Sequence, residues 1–71
     1  MANVENRPVV CTFYDTMRGV VISGTARVAE FSNFEAAYNW LMSNDWYMSG
    51  TNSLHYLKRN GCTLHECRLV C

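Results

Sequence analysis

The chain is short of charge. Only 17% of its 71 residues are charged, and the formal net charge is zero. Its cations, Arg7, Arg18, Arg27, Lys58, Arg59 and Arg68, are scattered, with Lys58 and Arg59 the sole adjacent pair. Nucleic-acid binders draw much of their affinity from clustered cations that neutralise phosphates, so the sequence speaks against that class of partner. Long apolar runs are lacking too. None approaches the roughly 18 residues that a membrane-spanning helix needs. The opening MANVENRP is polar and has no hydrophobic segment of the secretory kind, so a cytoplasmic protein is expected. In that reducing setting the four cysteines are read as thiols and not as a disulfide framework. The four glycines stand singly at 19, 24, 50 and 61, which leaves no phosphate-cradling loop.

What is present is apolar and aromatic. Hydrophobic types make up 49% of the chain, too many for a disordered tail. At 8.1 kDa one domain spans residues 1–71, with residues 1–6 expected as a loose arm. PVVCTFYD (8–15) reads as a strand, because β-branched and aromatic residues alternate in two sets, Val9, Cys11, Phe13 and Val10, Thr12, Tyr14. DTMRG (15–19) supplies a turn. VVISGTARVAEF (20–31) follows as a second strand that Gly24 bends or splits in two.

SNFEAAYNWLMSN (32–44) carries a helix signature. Ser32 and Glu35 have the spacing of a capping box. Phe34, Ala37, Tyr38 and Leu41 then recur at helical intervals, predicting a long helix near 33–43. SLHYLKRNG (53–61) supports two readings. As a short helix over 53–59 it has a cap at Asn52 or Ser53, cations in its last turn and a left-handed stop at Asn60-Gly61. As a strand it turns at Asn60-Gly61 into the last strand. The helix is favoured, since all its start and stop signals agree. CTLHECRLV (62–70) is a strand on either reading. The expected fold is therefore α+β: a small antiparallel sheet of about three strands (8–14, 19–30 and 62–70), with one long helix packed on one face.

The cysteine-rich end raises the question of a metal. On a strand, His65, Cys67 and Cys71 share a face and Cys62 points the other way. Zinc requires four convergent ligands, usually from paired Cys-x2-Cys knuckles, and no such knuckle exists here. No cofactor and no metal are expected. Should zinc bind, Cys11, His65, Cys67 and Cys71 would be the ligands. Otherwise cysteine packs as a small hydrophobe, with Cys11 and Cys67 in the core. No catalytic set stands out. Cys67 and His65 lie about 7 Å apart along a strand, Glu30, Glu35 and Glu66 form no evident acid/base pair, and so small a chain is not expected to enclose a pocket of ~300 Å³. The expectation is a protein that is not an enzyme.

The surplus is in large side chains: nine aromatics and four methionines for so small a body. DWYMSG (45–50) sets Trp46, Tyr47 and Met48 in an apparent loop, and these residue types are enriched in interface cores. The segment either presents an anchor to a partner or folds back over the core. With Tyr14 and Arg18, Trp46, Tyr47 and Met48 form the candidate binding set. Strand, turn, strand, then a helix of the SNFEAAYNWL kind and a closing strand resembles the small β-β-α-β proteins that bacteriophages make early in infection. That resemblance covers residues 8–70 in layout. It implies a protein that binds and inhibits a host enzyme such as RNA polymerase; comparable compact folds occur among anti-CRISPR proteins. No functional residue carries over from it. The function expected is a protein-binding module, a phage or mobile-element inhibitor or adaptor that occludes a host protein's surface in the host cytoplasm. A homodimeric structural protein and a small zinc- or nucleic-acid-binding domain are the alternatives.

Overall fold

The computed structural model describes residues 7–70; the expected arm at 1–6 lies outside them. The element order is β1 (Val9–Met17), β2 (Val20–Val21), β3 (Arg27–Phe31), α1 (Phe34–Ser43), β4 (Tyr47–Ser49), β5 (Asn52–Asn60) and β6 (Thr63–Val70). All pairings are antiparallel, in the order β2-β1-β6-β5-β4, and β3 pairs with the start of the β1 edge whose end holds β2. The expected three-strand α+β fold is thus corrected. The protein is a mostly β, six-stranded sheet with one short helix.

Two segments account for the difference. Residues 53–59 are the middle of β5 and not a helix. Alternation governs this stretch: His55 pairs with Arg68, Tyr56 with Cys67 and Lys58 with His65. The fully buried Tyr56 is what fixes the register, since a one-residue slip would send its ring to the other face. A helix would have kept the two cations near its dipole, an effect of about 0.3–1 kcal/mol. Burying a large side chain is worth about 1.5–3 kcal/mol, and the sheet position of Tyr56 also extends the ladder on both sides. The second segment, expected as a loop, contains β4, where Tyr47 pairs with Leu57 and Met48 with Tyr56.

The hairpin turns follow from backbone sterics. Arg18 and Gly19 both have positive φ, 54° and 80°, the type I′ pattern that matches strand twist. Between β5 and β6 the turn is Gly61-Cys62, one residue later than Asn60-Gly61, because Asn60 still pairs with Thr63. Gly61 has φ 63° and Cys62 does not share a positive φ, which corresponds to type II′. The long second strand does break at Gly24. Across the gap the Asp15 backbone N–H donates to Thr25 Oγ1 (3.0 Å), and the Thr25 hydroxyl donates to the Ile22 carbonyl (2.7 Å). A side chain replaces the missing ladder bond there.

The helix sits where the 3.6-residue period places it, with Ala37 and Leu41 buried. Its cap is Asn33 and not Ser32: Asn33 Oδ1 accepts from Ala36 N–H at 2.8 Å. Asn33 has the extended backbone of a cap residue, which displaces the capping box expected from Ser32 and Glu35. The helix covers one sheet face only. Val9, Cys11 and Phe13 of β1, Cys67 and Leu69 of β6 and Tyr56 of β5 point toward it and form the core with Ala37, Leu41 and Trp46. Among the described residues no helix is long and apolar enough to cross a membrane.

Candidate functional site

Period-two geometry sends the other half of every strand to the face that α1 leaves bare. Val10, Thr12, Tyr14 and Thr16 of β1 emerge there. Their partners on β6 are Val70, Arg68, Glu66 and Leu64, and β5 adds His55 and Leu57. At the centre of this open face lies a hydrogen-bonded cluster. Arg68 Nε donates to Tyr14 Oη at 2.8 Å, and Tyr14 donates onward to Glu66 Oε1 at 3.3 Å. The same carboxylate oxygen lies 2.7 Å from His55 Nε2, and Thr16 Oγ1 donates to Glu66 Oε2 at 3.0 Å.

Glu66 is the hub. Burial by itself would raise its pKa, but the hydrogen bonds from His55, Thr16 and Tyr14 outweigh burial and hold the carboxyl below the usual carboxylate range. The carboxylate is thus kept ionised with both oxygens occupied. Arg68 is exposed and uses Nε inward, so the rest of its guanidinium fork is left for the outside. Around this polar centre Val21, Val28, Tyr47 and Val70 stand exposed, Val28 at 69% and Val70 at 61%.

The residues singled out from the sequence are divided between the two faces. Tyr14 is in the open-face cluster. Tyr47 is exposed on the edge strand β4, and register with Leu57 turns it toward the same face. Arg18 occupies the exposed β1–β2 turn. Trp46 is buried, 8% exposed, with its ring edge-to-face on Phe13 at 5.6 Å, and Met48 packs against the core beside Tyr56. The segment therefore closes the core with Trp46 and Met48 and presents Tyr47.

The sequence reading missed His55, Glu66, Thr16 and Arg68. The signal was present: a strand over 53–59 hydrogen-bonded to 62–70 carries His55 to the register of Arg68, next to Glu66.

Of the candidate zinc ligands, Cys11 and Cys67 are buried side by side in the core, where burial pushes both thiols up, Cys67 to about 12. His65 Nδ1 is engaged by Asp15 Oδ1 at 2.5 Å. Cys71 lies outside the described residues, and Cys62 is exposed in the last turn. Among the described residues no three His, Cys, Asp or Glu side chains are grouped to hold an ion. No protein-family model, curated protein or solved structure matches the chain.

Proposed function

We propose that the chain is a non-catalytic protein-binding module that occludes a partner's surface with its open sheet face. The observation that carries this reading is the bare face itself. Four exposed apolar side chains, Val21, Val28, Tyr47 and Val70, surround a polar centre in which Glu66, Tyr14 and Thr16 are already hydrogen-bonded. Covering Glu66 costs less than covering a bare carboxylate, because both of its oxygens already accept hydrogen bonds. Arg68 is a point of charge complementarity at the cluster, since its free donors suit a carboxylate on the partner; exposed Arg59 and Glu30 lie on the same face. Tyr47 is the aromatic anchor at the rim, in keeping with the enrichment of tyrosine at hot spots. The edges are poorer docking sites. One is broken between β2 and β3, and β4 has only three residues. The layout-based expectation of a phage or mobile-element inhibitor or adaptor belongs to this reading, with occlusion as its mechanism.

The test compares the wild type with Val28→Asp/Val70→Asp and with Arg68→Ala, by light scattering for self-association and by affinity capture of partners from a lysate. The reading requires a captured protein, or a dimer, that the double variant loses and that Arg68→Ala weakens about tenfold. A wild type that stays monomeric and captures nothing, or a complex indifferent to these substitutions, removes the open face from consideration.

A further inference from the structure

The helix-side face has its own opening, distinct from the docking surface and on the opposite side of the sheet. Where α1 ends, a cleft of about 480 Å³ separates the helix terminus from the sheet, with Arg27, Trp40, Trp46, Lys58 and His65 on its walls. A neighbouring hollow of about 330 Å³ shares Arg27, Trp40 and Trp46 with it. Both are open to solvent, and both exceed the ~300 Å³ lower limit of small-ligand pockets.

Three features of the walls converge on one ligand chemistry. The first is aromatic. Trp40 packs its indole on Phe13 and Phe31, at 5.8 and 5.9 Å, yet is 41% exposed, so one side of a fixed ring faces the opening. Trp46, held edge-to-face on Phe13, forms a rigid floor. The second feature is charge. Arg27 is set opposite Phe13 on β3 and Lys58 opposite His65 on β5, both on the helix side. Neither cation belongs to either ion pair found among the described residues. Of the acids near the floor, Asp15 is taken by His65, while Asp45, next to Trp46 in the chain, is exposed and belongs to neither ion pair. Arg59 also borders the cleft, although alternation directs its side chain to the other face. Hence Arg27 and Lys58 bring two cations outside any ion pair among the described residues to the cleft, against Asp45 and the partial negative charge of the α1 C-terminus. The third feature is span. Strands β3 and β5 are three sheet positions apart, or ~14 Å at ~4.8 Å per step. Two long cationic side chains reaching inward from that separation leave room for a ring and a phosphate between them. Asn44 and Asn60 add amides at the rim, and Asn44 is fixed by its Nδ2 donating to the Trp40 carbonyl at 2.8 Å.

We propose that this cleft binds a nucleotide: a flat base stacked on Trp40 with its phosphate held by Arg27 and Lys58. Stacking on an exposed indole tolerates any base, and phosphate charge supplies the electrostatic attraction. The nucleotide is either free or part of a single strand, and the recognising chemistry is the same.

The experiment titrates the full chain with adenosine monophosphate, adenosine, inorganic phosphate and a short single-stranded oligonucleotide. Calorimetry and the indole N–H resonances of Trp40 and Trp46 report binding. Adenosine monophosphate is expected to shift the Trp40 resonance saturably. Adenosine or phosphate alone should bind about tenfold more weakly, since each keeps half of the contacts. Arg27→Gln/Lys58→Gln changes side chains outside the buried core, so it should keep the dispersed amide spectrum while binding falls about tenfold or more. Tighter binding of the oligonucleotide assigns the ligand to a strand, and equal binding assigns it to the free nucleotide; both support the site. Absence of a saturable shift with either ligand, equal binding of adenosine and its monophosphate, or wild-type affinity in the double variant overturns the proposal.

Discussion

Two side chains in this molecule respond to burial in opposite ways. Tyr56 is fully buried, and its hydroxyl has no hydrogen-bond partner among the described residues. Its neighbours are the Tyr38 ring, edge-on at 6.4 Å, and the core thiols, and burial raises the phenol's pKa further. A buried polar group without a partner carries its full desolvation cost, so removing it should help the fold. Tyr56→Phe is expected to be neutral or to stabilise by about 1 kcal/mol in urea unfolding. A loss of more than about 1 kcal/mol would mean that the hydroxyl has a partner after all. Glu66 is the opposite case, a carboxyl whose partners hold its pKa down. With the folded pKa below the unfolded value of about 4.3, the unfolded chain binds more protons between the two. The contribution of Glu66 is therefore complete above that unfolded value and is lost as pH falls toward the folded one. Glu66→Gln should flatten the acid side of the stability profile, measured by urea melts across that window. An unchanged slope would show that the cluster does not bias this titration.

At the scale of elements, the helix start is decided by one residue. Ser32 precedes Asn33, and both are good caps. The Asn33 amide oxygen accepts from the Ala36 N–H, and the chain enters the helix at Phe34. Asn33→Ala should cost about 1 kcal/mol of stability, and Ser32→Ala less than about half of that, in thermal or urea melts. The reverse order would restore the capping box inferred from Ser32 and Glu35. The β1–β2 turn illustrates a different local conflict. Arg18 sits at positive φ, where a side chain is disfavoured and glycine or asparagine is preferred.

For the whole molecule the deciding fact is the mismatch between one ten-residue helix and a six-stranded sheet. A sheet has two faces, and this helix covers one. The other is finished partly by the Glu66 cluster and partly by exposed apolar side chains. Because Val28 and Val70 are mostly exposed, Val28→Asp/Val70→Asp should leave the melting temperature within about 2–4 °C of wild type while abolishing any association through that face. A large drop in melting temperature would place both side chains in the fold's own stability.

Local physics made part of this protein legible in its sequence. Alternating β-branched and aromatic residues marked β1, the segment 62–70 read as a strand on either reading of its neighbour, Gly24 marked the break between β2 and β3, and the spacing of Phe34, Ala37, Tyr38 and Leu41 marked α1. These signals are carried within a few consecutive residues. Segment 53–59 was different, since its caps, cations and Asn60-Gly61 fitted a helix as well as a strand. Only pairing with β6 and β4 and the burial of Tyr56 resolve it, and those are contacts between residues far apart in the chain. The same holds for the sites. Tyr14, His55, Glu66 and Arg68 come from three strands, and Arg27, Trp40 and Lys58 from two strands and a helix. The sequence by itself determined which side chains alternate and where the chain turns. Tertiary structure decided which of them meet, because register across a sheet is set by the burial of one whole face, and no local stretch contains that information.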